Sequence, residues 1–123
     1  MTQHDDMVRL HHMLDYASEA VEMARGKSRD DLRLNRTLQL ALVRLVEIVG
    51  EAATRVSEEG QQRYPSIPWQ YARGMRNRLV HGYDKIDLDV LWDTVEYDLP
   101  PLIAEPAFHR LPATDSCLLP FAF

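Results

Sequence analysis

Apolar residues recur along most of this chain at the three- and four-residue spacing of helices that bury one face. Over residues 7–25 they are Leu10, Met13, Leu14, Ala17, Val21 and Ala24, with Arg9, Glu19, Glu22 and Arg25 largely opposite. Gly26 supplies a stop. Ser28 can cap a short turn containing Asp30 and Asp31, acids suited to the positive end of a helix. A longer helix is expected over 35–58. Its apolar face runs from Leu38 through Leu42, Leu45, Val46 and Val49 to Val56, broad enough for contact from more than one side. Gly50, Ala52 and Ala53 would let another helix approach closely, and Glu59-Gly60 is read as the end.

Tyr64-Pro65-Ser66-Ile67-Pro68 reads as a turn, with Ser66 and Pro68 placed to open a helix over 68–82. Trp69, Ala72, Met75, Leu79 and Val80 would be its buried side. Arg73, Asn77 and His81 would stack at i, i+4 and i+8, and Gly82 would close the helix. Asp87 can cap a last amphipathic helix carrying Leu88, Leu91, Trp92, Val95, Leu99 and Leu102, which Pro100 and Pro101 should kink or fray. The pattern fails beyond Glu105. Residues 1–105 are therefore expected to form a helical domain and 106–123 an irregular tail with Pro106, Pro112 and Pro120. No strand pattern, repeat or low-complexity tract is visible. The fold class is all-α, an up-and-down bundle of about four main helices plus a short extra helical turn.

Composition narrows this little. With 46% apolar and 27% charged residues over 123, the chain suits one soluble domain with a single core. No apolar run approaches the roughly 20 residues a bilayer span needs. The acidic N-terminus shows no secretory pattern, and the lone Cys117 agrees with a reducing cytoplasm, which is the expected location.

Charge changes the picture more. Arg63, Arg73, Arg76, Arg78 and Lys85 against the single acid Asp84 make residues 63–85 +4, leaving −9 elsewhere in a chain of net charge −5. Such an island suits a local phosphate and argues against a general nucleic-acid coat protein. A solvated helix face explains the same charges.

Two other candidate sites are weaker. His11 and His12 are adjacent, point to different sides and make a poor metal pair, so they are read as surface residues. Glu47 and Glu51 lie one turn apart without a histidine or third acid at compatible spacing, and are read as salt-bridged.

The segment from Met75 to Tyr83 places Arg76, Asn77, His81 and Tyr83 within nine residues. On one helix Arg76 and His81 would stand about 140° apart and could not easily reach one atom. Two circumstances relieve this: His81 at a freed helix end, or a second copy of the segment across a two-fold axis. A cleft so lined has the parts to break a phosphodiester without metal. His81 can exchange protons near neutral pH, Arg76 can bind phosphate oxygens, and Asn77 can orient the imidazole or the substrate. A fixed cation aimed at developing phosphorane charge is worth roughly 3 kcal/mol. The nucleophile would be the 2′-hydroxyl of RNA. From the residues alone, the alternative stays open that Arg76 and His81 merely cap a helix end and pair with surface acids.

Arg76-Asn77-x-x-x-His81-x-Tyr83 resembles the Arg-x4-His-x-Tyr signature of the HEPN superfamily, and more narrowly that of the HepT toxins of HEPN/MNT toxin–antitoxin pairs. The likeness extends to His12-Met13-Leu14-Asp15, Leu45 to Ala53, Tyr64-Pro65-x-Ile67-Pro68-Trp69 and Asp98-Leu99-Pro100, covering roughly residues 7–105. It implies a helical bundle that forms a homodimer or higher homo-oligomer, with a shared cleft and metal-independent endoribonuclease activity needing no cofactor. Arg76 and His81 would be catalytic with Asn77 beside them, and Arg73, Arg78 and Lys85 would contact RNA phosphates. The implied partner is a nucleotidyltransferase antitoxin that adenylylates Tyr83, in a system of type VII. Two alternatives from other classes are a non-catalytic nucleotide- or partner-binding subunit of a nucleotidyltransferase complex and a purely structural dimer subunit.

Overall fold

Two long helices carry the core. In the computed structural model, which describes residues 3–81 and 85–112, α1 (Gln3–Ala24) and α3 (Arg36–Arg55) pack along each other. Leu10, Met13, Ala17 and Ala20 from α1 and Leu42, Val46, Val49 and Ala53 from α3 are wholly buried between and around them. These positions follow the helical spacing of the sequence, and burying each large one contributes about 1.5–3 kcal/mol. The buried Asp6 carboxylate near the start of α1 accepts from the amide of Ser57, just past the end of α3, at 2.8 Å. The two helices therefore run antiparallel.

That contact also ends α3 earlier than the sequence led one to expect. Val56 is extended (φ −69°, ψ 133°), and Ser57 caps a new helix, α4 (Glu58–Arg63), by accepting from Gly60 N at 3.0 Å. Gly60 does not stop α3. It lies inside α4 because a Cβ there would sit 2.6 Å from an Asp6 carboxylate oxygen. Between α1 and α3, Gly26 takes φ +77° as expected of a helix stop. Ser28 and Asp31 then form a reciprocal capping box on α2 (Arg29–Leu34). The side chain of Asn35 caps α3 by accepting from Leu38 N at 3.0 Å.

The helix expected over 68–82 is divided. α5 (Trp69–Arg73) and α6 (Met75–Leu79) meet at Gly74, and the chain then becomes extended at β1 (Val80–His81). β1 pairs antiparallel with β2 (Lys85–Ile86), with Val80 opposite Ile86 and His81 opposite Lys85. Asp87 N donates to the Leu79 carbonyl at 2.7 Å. A partner eight residues away thus replaces the next helical turn, and the β-branched Val80 has little helix propensity to resist it. This corrects two expectations: His81 is a strand residue and does not stack with Arg73 and Asn77, and a minimal strand pair does exist. Gly82, expected to close the helix, lies outside the described residues.

Asp87 caps α7 (Leu88–Asp93) by accepting from Val90 N at 3.0 Å. The helix widens through one π turn, Thr94–Asp98, and continues as α8 (Leu99–Ile103). Pro100 and Pro101 fall in the first turn of α8, where a missing N–H is tolerated, so they neither fray nor end it. This last helix packs on α1 through the π turn and α8. The chain past Glu105 is not irregular at once: α9 (Pro106–His109) buries Ala107 and Phe108 against the core. His11 Nε2 bonds the Pro112 carbonyl at 2.6 Å. With α1, α3, α5–α6 and α7–α8 as its main members, the fold is the expected all-α bundle. No helix among the described residues is long and apolar enough to cross a membrane.

Candidate functional site

The site is set by how closely α5 and α6 lie on α3. A Cβ on Gly50 would stand 3.2 Å from the Ala72 carbonyl oxygen, 3.8 Å from Arg76 N and 3.9 Å from Arg73 O. A side chain there would press on the α5 backbone, so glycine suits the crossing. The groove beside the contact has a volume of about 330 Å³ and is walled by Thr54 and Arg55 of α3 and by Arg73, Arg76 and Asn77.

Arg76 is more than half exposed, yet its Nε donates to Glu47 of α3 at 2.9 Å, and Glu47 is mostly buried. One of five guanidinium N–H donors is used in this bond. The pair fixes the base of the guanidinium, and its fork remains the part that can grip a phosphate. Glu51 also lines the groove and is paired with Arg44 at 3.3 Å. Both glutamates are therefore salt-bridged, as their spacing indicated, and no group of three His, Cys, Asp or Glu among the described residues could hold a metal ion.

Of the cations expected to meet phosphate, Arg73 lines this groove with Arg76 and Asn77. Lys85 is exposed on β2, paired in register with His81. Arg78 behaves differently. Its guanidinium stacks 3.8 Å from the centre of the Tyr71 ring, and Nη2 donates to the Tyr71 carbonyl at 2.8 Å. Two positions on from Arg76, it stands about 200° around the helix. The Tyr71 hydroxyl in turn donates to Asp98 in the π turn. Burial, and then the bond to Asp98, push the Tyr71 phenol above its ordinary pKa, with the Arg78 charge opposing. The imidazole of His81 and all of Tyr83 lie outside what the structure describes. What is described of His81 is that its backbone has left the helix two residues after Leu79.

On α1, His12 packs its ring edge-on to Tyr16, with centroids 5.8 Å apart. Burial lowers its pKa, which Asp15 partly offsets. It lines a second groove, of about 340 Å³, with Arg9, Ile48 and Arg55.

Residues 13–107 match the family model described as "Ribonuclease HepT-like". The chain belongs to that family. A Thermococcus cleftensis protein named "Probable ribonuclease HepT" is 34% identical over 93 residues, covering 72% of this chain and 84% of that one. A Methanocaldococcus jannaschii protein carrying the name of a "Putative RNase" is 30% identical over 105 residues, covering 85% and 96%. No solved structure gives a significant match. The family span contains α3, the groove and the whole Arg76–Tyr83 segment, and it ends at Ala107 inside α9.

Three features of the HepT-like site were not foreseen: the Glu47 partner of Arg76, the presence of Arg55 in the groove, and the Arg78–Tyr71–Asp98 chain. Glu47 and Arg76 are 29 residues apart and Tyr71 and Asp98 are 27 apart. No local spacing signals such pairs. The one usable clue was Gly50, which marks where another helix must cross α3.

Proposed function

We propose that this protein is a metal-independent endoribonuclease toxin of a type VII-like HEPN/MNT pair, acting in the cytoplasm. RNA is cleaved in a cleft lined by Arg76, Asn77 and His81 of two copies. The 2′-oxygen attacks the adjacent phosphorus and the bond from phosphorus to the 5′-oxygen breaks. The products are a 2′,3′-cyclic phosphate and a 5′-hydroxyl. His81 takes the 2′ proton and passes it to the leaving 5′-oxygen, so that one imidazole of the shared cleft serves both steps. The Arg76 fork stabilises charge on the non-bridging oxygens. The observation that carries this reading is the family match across the whole motif. The end of α6 at Leu79 supports it, because Arg76 and His81 are then not held to opposite sides of one helix.

Purified protein should cut RNA in the presence of EDTA and leave cyclic-phosphate or 3′-phosphate ends. His81→Ala should abolish cleavage while the helical circular dichroism is unchanged. Retained cleavage by that variant would falsify the assignment of His81.

The antitoxin half of the reading is a nucleotidyltransferase that joins the Tyr83 phenol oxygen to the α-phosphorus of ATP, releasing pyrophosphate. An adenylate there places a phosphate and a base beside Arg76 and blocks RNA. Incubation with ATP and that partner should add adenylate mass to the Tyr83 peptide, and Tyr83→Phe should prevent it.

One observation favours a second reading. Arg76 already has a counter-ion in Glu47, as it would in a non-catalytic nucleotide- or partner-binding subunit. Equal growth inhibition by the wild type and by Arg76→Ala/His81→Ala would decide for that subunit.

A further inference from the structure

Acids outnumber bases in this chain, 19 to 14, and half of its twelve arginines are engaged by an acid or by Tyr71. Arg25, Arg29, Arg33, Arg44 and Arg76 each make an ion pair, and Arg78 is spent on Tyr71. The groove beside Arg76 is where two of the others come together. Arg55, in the last turn of α3, and Arg73, in the last turn of α5, both line it and are both exposed. Among the described residues neither makes a hydrogen bond or ion pair. Among the described residues the only acid on the groove wall, Glu51, is directed to Arg44.

Arg55, Arg73 and Arg76 line one groove, and the acids beside them are already engaged, Glu47 by Arg76 and Glu51 by Arg44. An anion entering the groove can satisfy forked donors from two helices at once. Because Gly50 holds α3 and α5–α6 together, the backbones that carry Arg55 and Arg73 are held beside one groove before any ligand arrives. We propose that Arg55 and Arg73 form a subsite for a backbone phosphate of single-stranded RNA, next to the phosphate gripped by Arg76. This rests on the ribonuclease reading for its ligand, and it assigns to Arg55, which belongs to α3 and not to the motif, a role in holding RNA in register with the cleavage point.

The test uses the full-length protein and a 2′-O-methyl RNA oligonucleotide that cannot be cleaved. Its dissociation constant is measured across a salt series, alongside cleavage of an unmodified oligonucleotide and of a dinucleotide holding only the scissile phosphate. Arg55→Gln should weaken oligonucleotide binding about tenfold and lower the salt slope by about 0.7, the value of one phosphate contact on a single strand. Arg55→Lys should restore the slope. The loss of kcat/KM should be about tenfold greater on the oligonucleotide than on the dinucleotide, and Arg73→Gln should behave alike. An unchanged slope, equal losses on both substrates, or no RNA binding by the wild type would each overturn the subsite. Weakened binding in Arg55→Gln, with a wild type that binds RNA but never cuts it, would uphold the subsite and reject the nuclease.

Discussion

Arg76 shows how one side chain can be both tethered and available. The bond from Nε to Glu47 has one partner largely shielded and one open to water, so its removal should change stability by no more than about 1 kcal/mol. Its value lies in direction. Glu47→Gln keeps an acceptor oxygen within reach and should retain most ribonuclease activity. Glu47→Ala should lower kcat about tenfold, or ~1.4 kcal/mol of transition-state stabilisation, with KM little changed. Steady-state kinetics on both variants distinguishes orientation from charge. Tyr71 offers a pH test. Its folded-state pKa is raised by burial and by Asp98. Above pH 10 the unfolded chain therefore gives up this proton while the folded one keeps it. Stability should be intact below that pH and fall as pH climbs through the raised value. Tyr71→Phe should flatten the alkaline limb of a urea-midpoint profile.

Among the elements, the crossing of α3 by α5–α6 governs the site. At Gly50 an alanine brings a helix-propensity gain of about 1 kcal/mol. Against it stands a contact at 3.2 Å with the backbone oxygen of Ala72, which only a shift of α5 relieves. Gly50→Ala should consequently be near neutral in urea denaturation. Gly50→Val, with two more methyl groups in the same place, should cost roughly 1–3 kcal/mol. It should also lower activity, because the wall that carries Arg73 and Arg76 moves. The caps follow a simpler rule. Removing the Asp87 side chain should cost about 1 kcal/mol through the lost bond to Val90 N. Much of this level was legible beforehand. Ser28, Asp87, Gly26 and the faces of α1 and α3 act within a turn of themselves, so their sequence neighbours suffice to reveal them. Where α3 ends was not, since the competing partner of Ser57 is Asp6, 51 residues away.

For the molecule as a whole, the uneven charge sets the terms of binding. In a chain of net charge −5 the excess of cations lies in the basic stretch, so RNA binding should be local and weaken with salt by a slope of about 0.7 per phosphate contact. The remaining large-scale question is whether one copy suffices. If two motifs line one cleft, coexpressed Arg76→Ala and His81→Ala chains should recover activity that neither has alone. Such dimers keep one intact arginine and one intact histidine in the shared cleft, and random pairing makes about half of the dimers mixed. Activity assays on the copurified mixture check this, and a mixture as inactive as its components would mean that each copy works by itself.

The sequence by itself determined the two long helices, the Ser28 and Asp87 caps, the all-α class and the place where a second helix could lie close. Those depend on periodicity and on side chains a few residues apart. Only the tertiary structure decided that the helix after Pro68 would break at Gly74 and give way at Val80. It likewise chose Glu47 as the partner of Arg76, turned Arg78 toward Tyr71 and brought Arg55 and Arg73 to one groove. Each of those outcomes hangs on a contact between segments far apart in the chain. Local preferences there differ by less than about 1 kcal/mol, so one long-range hydrogen bond or ion pair is enough to choose between them.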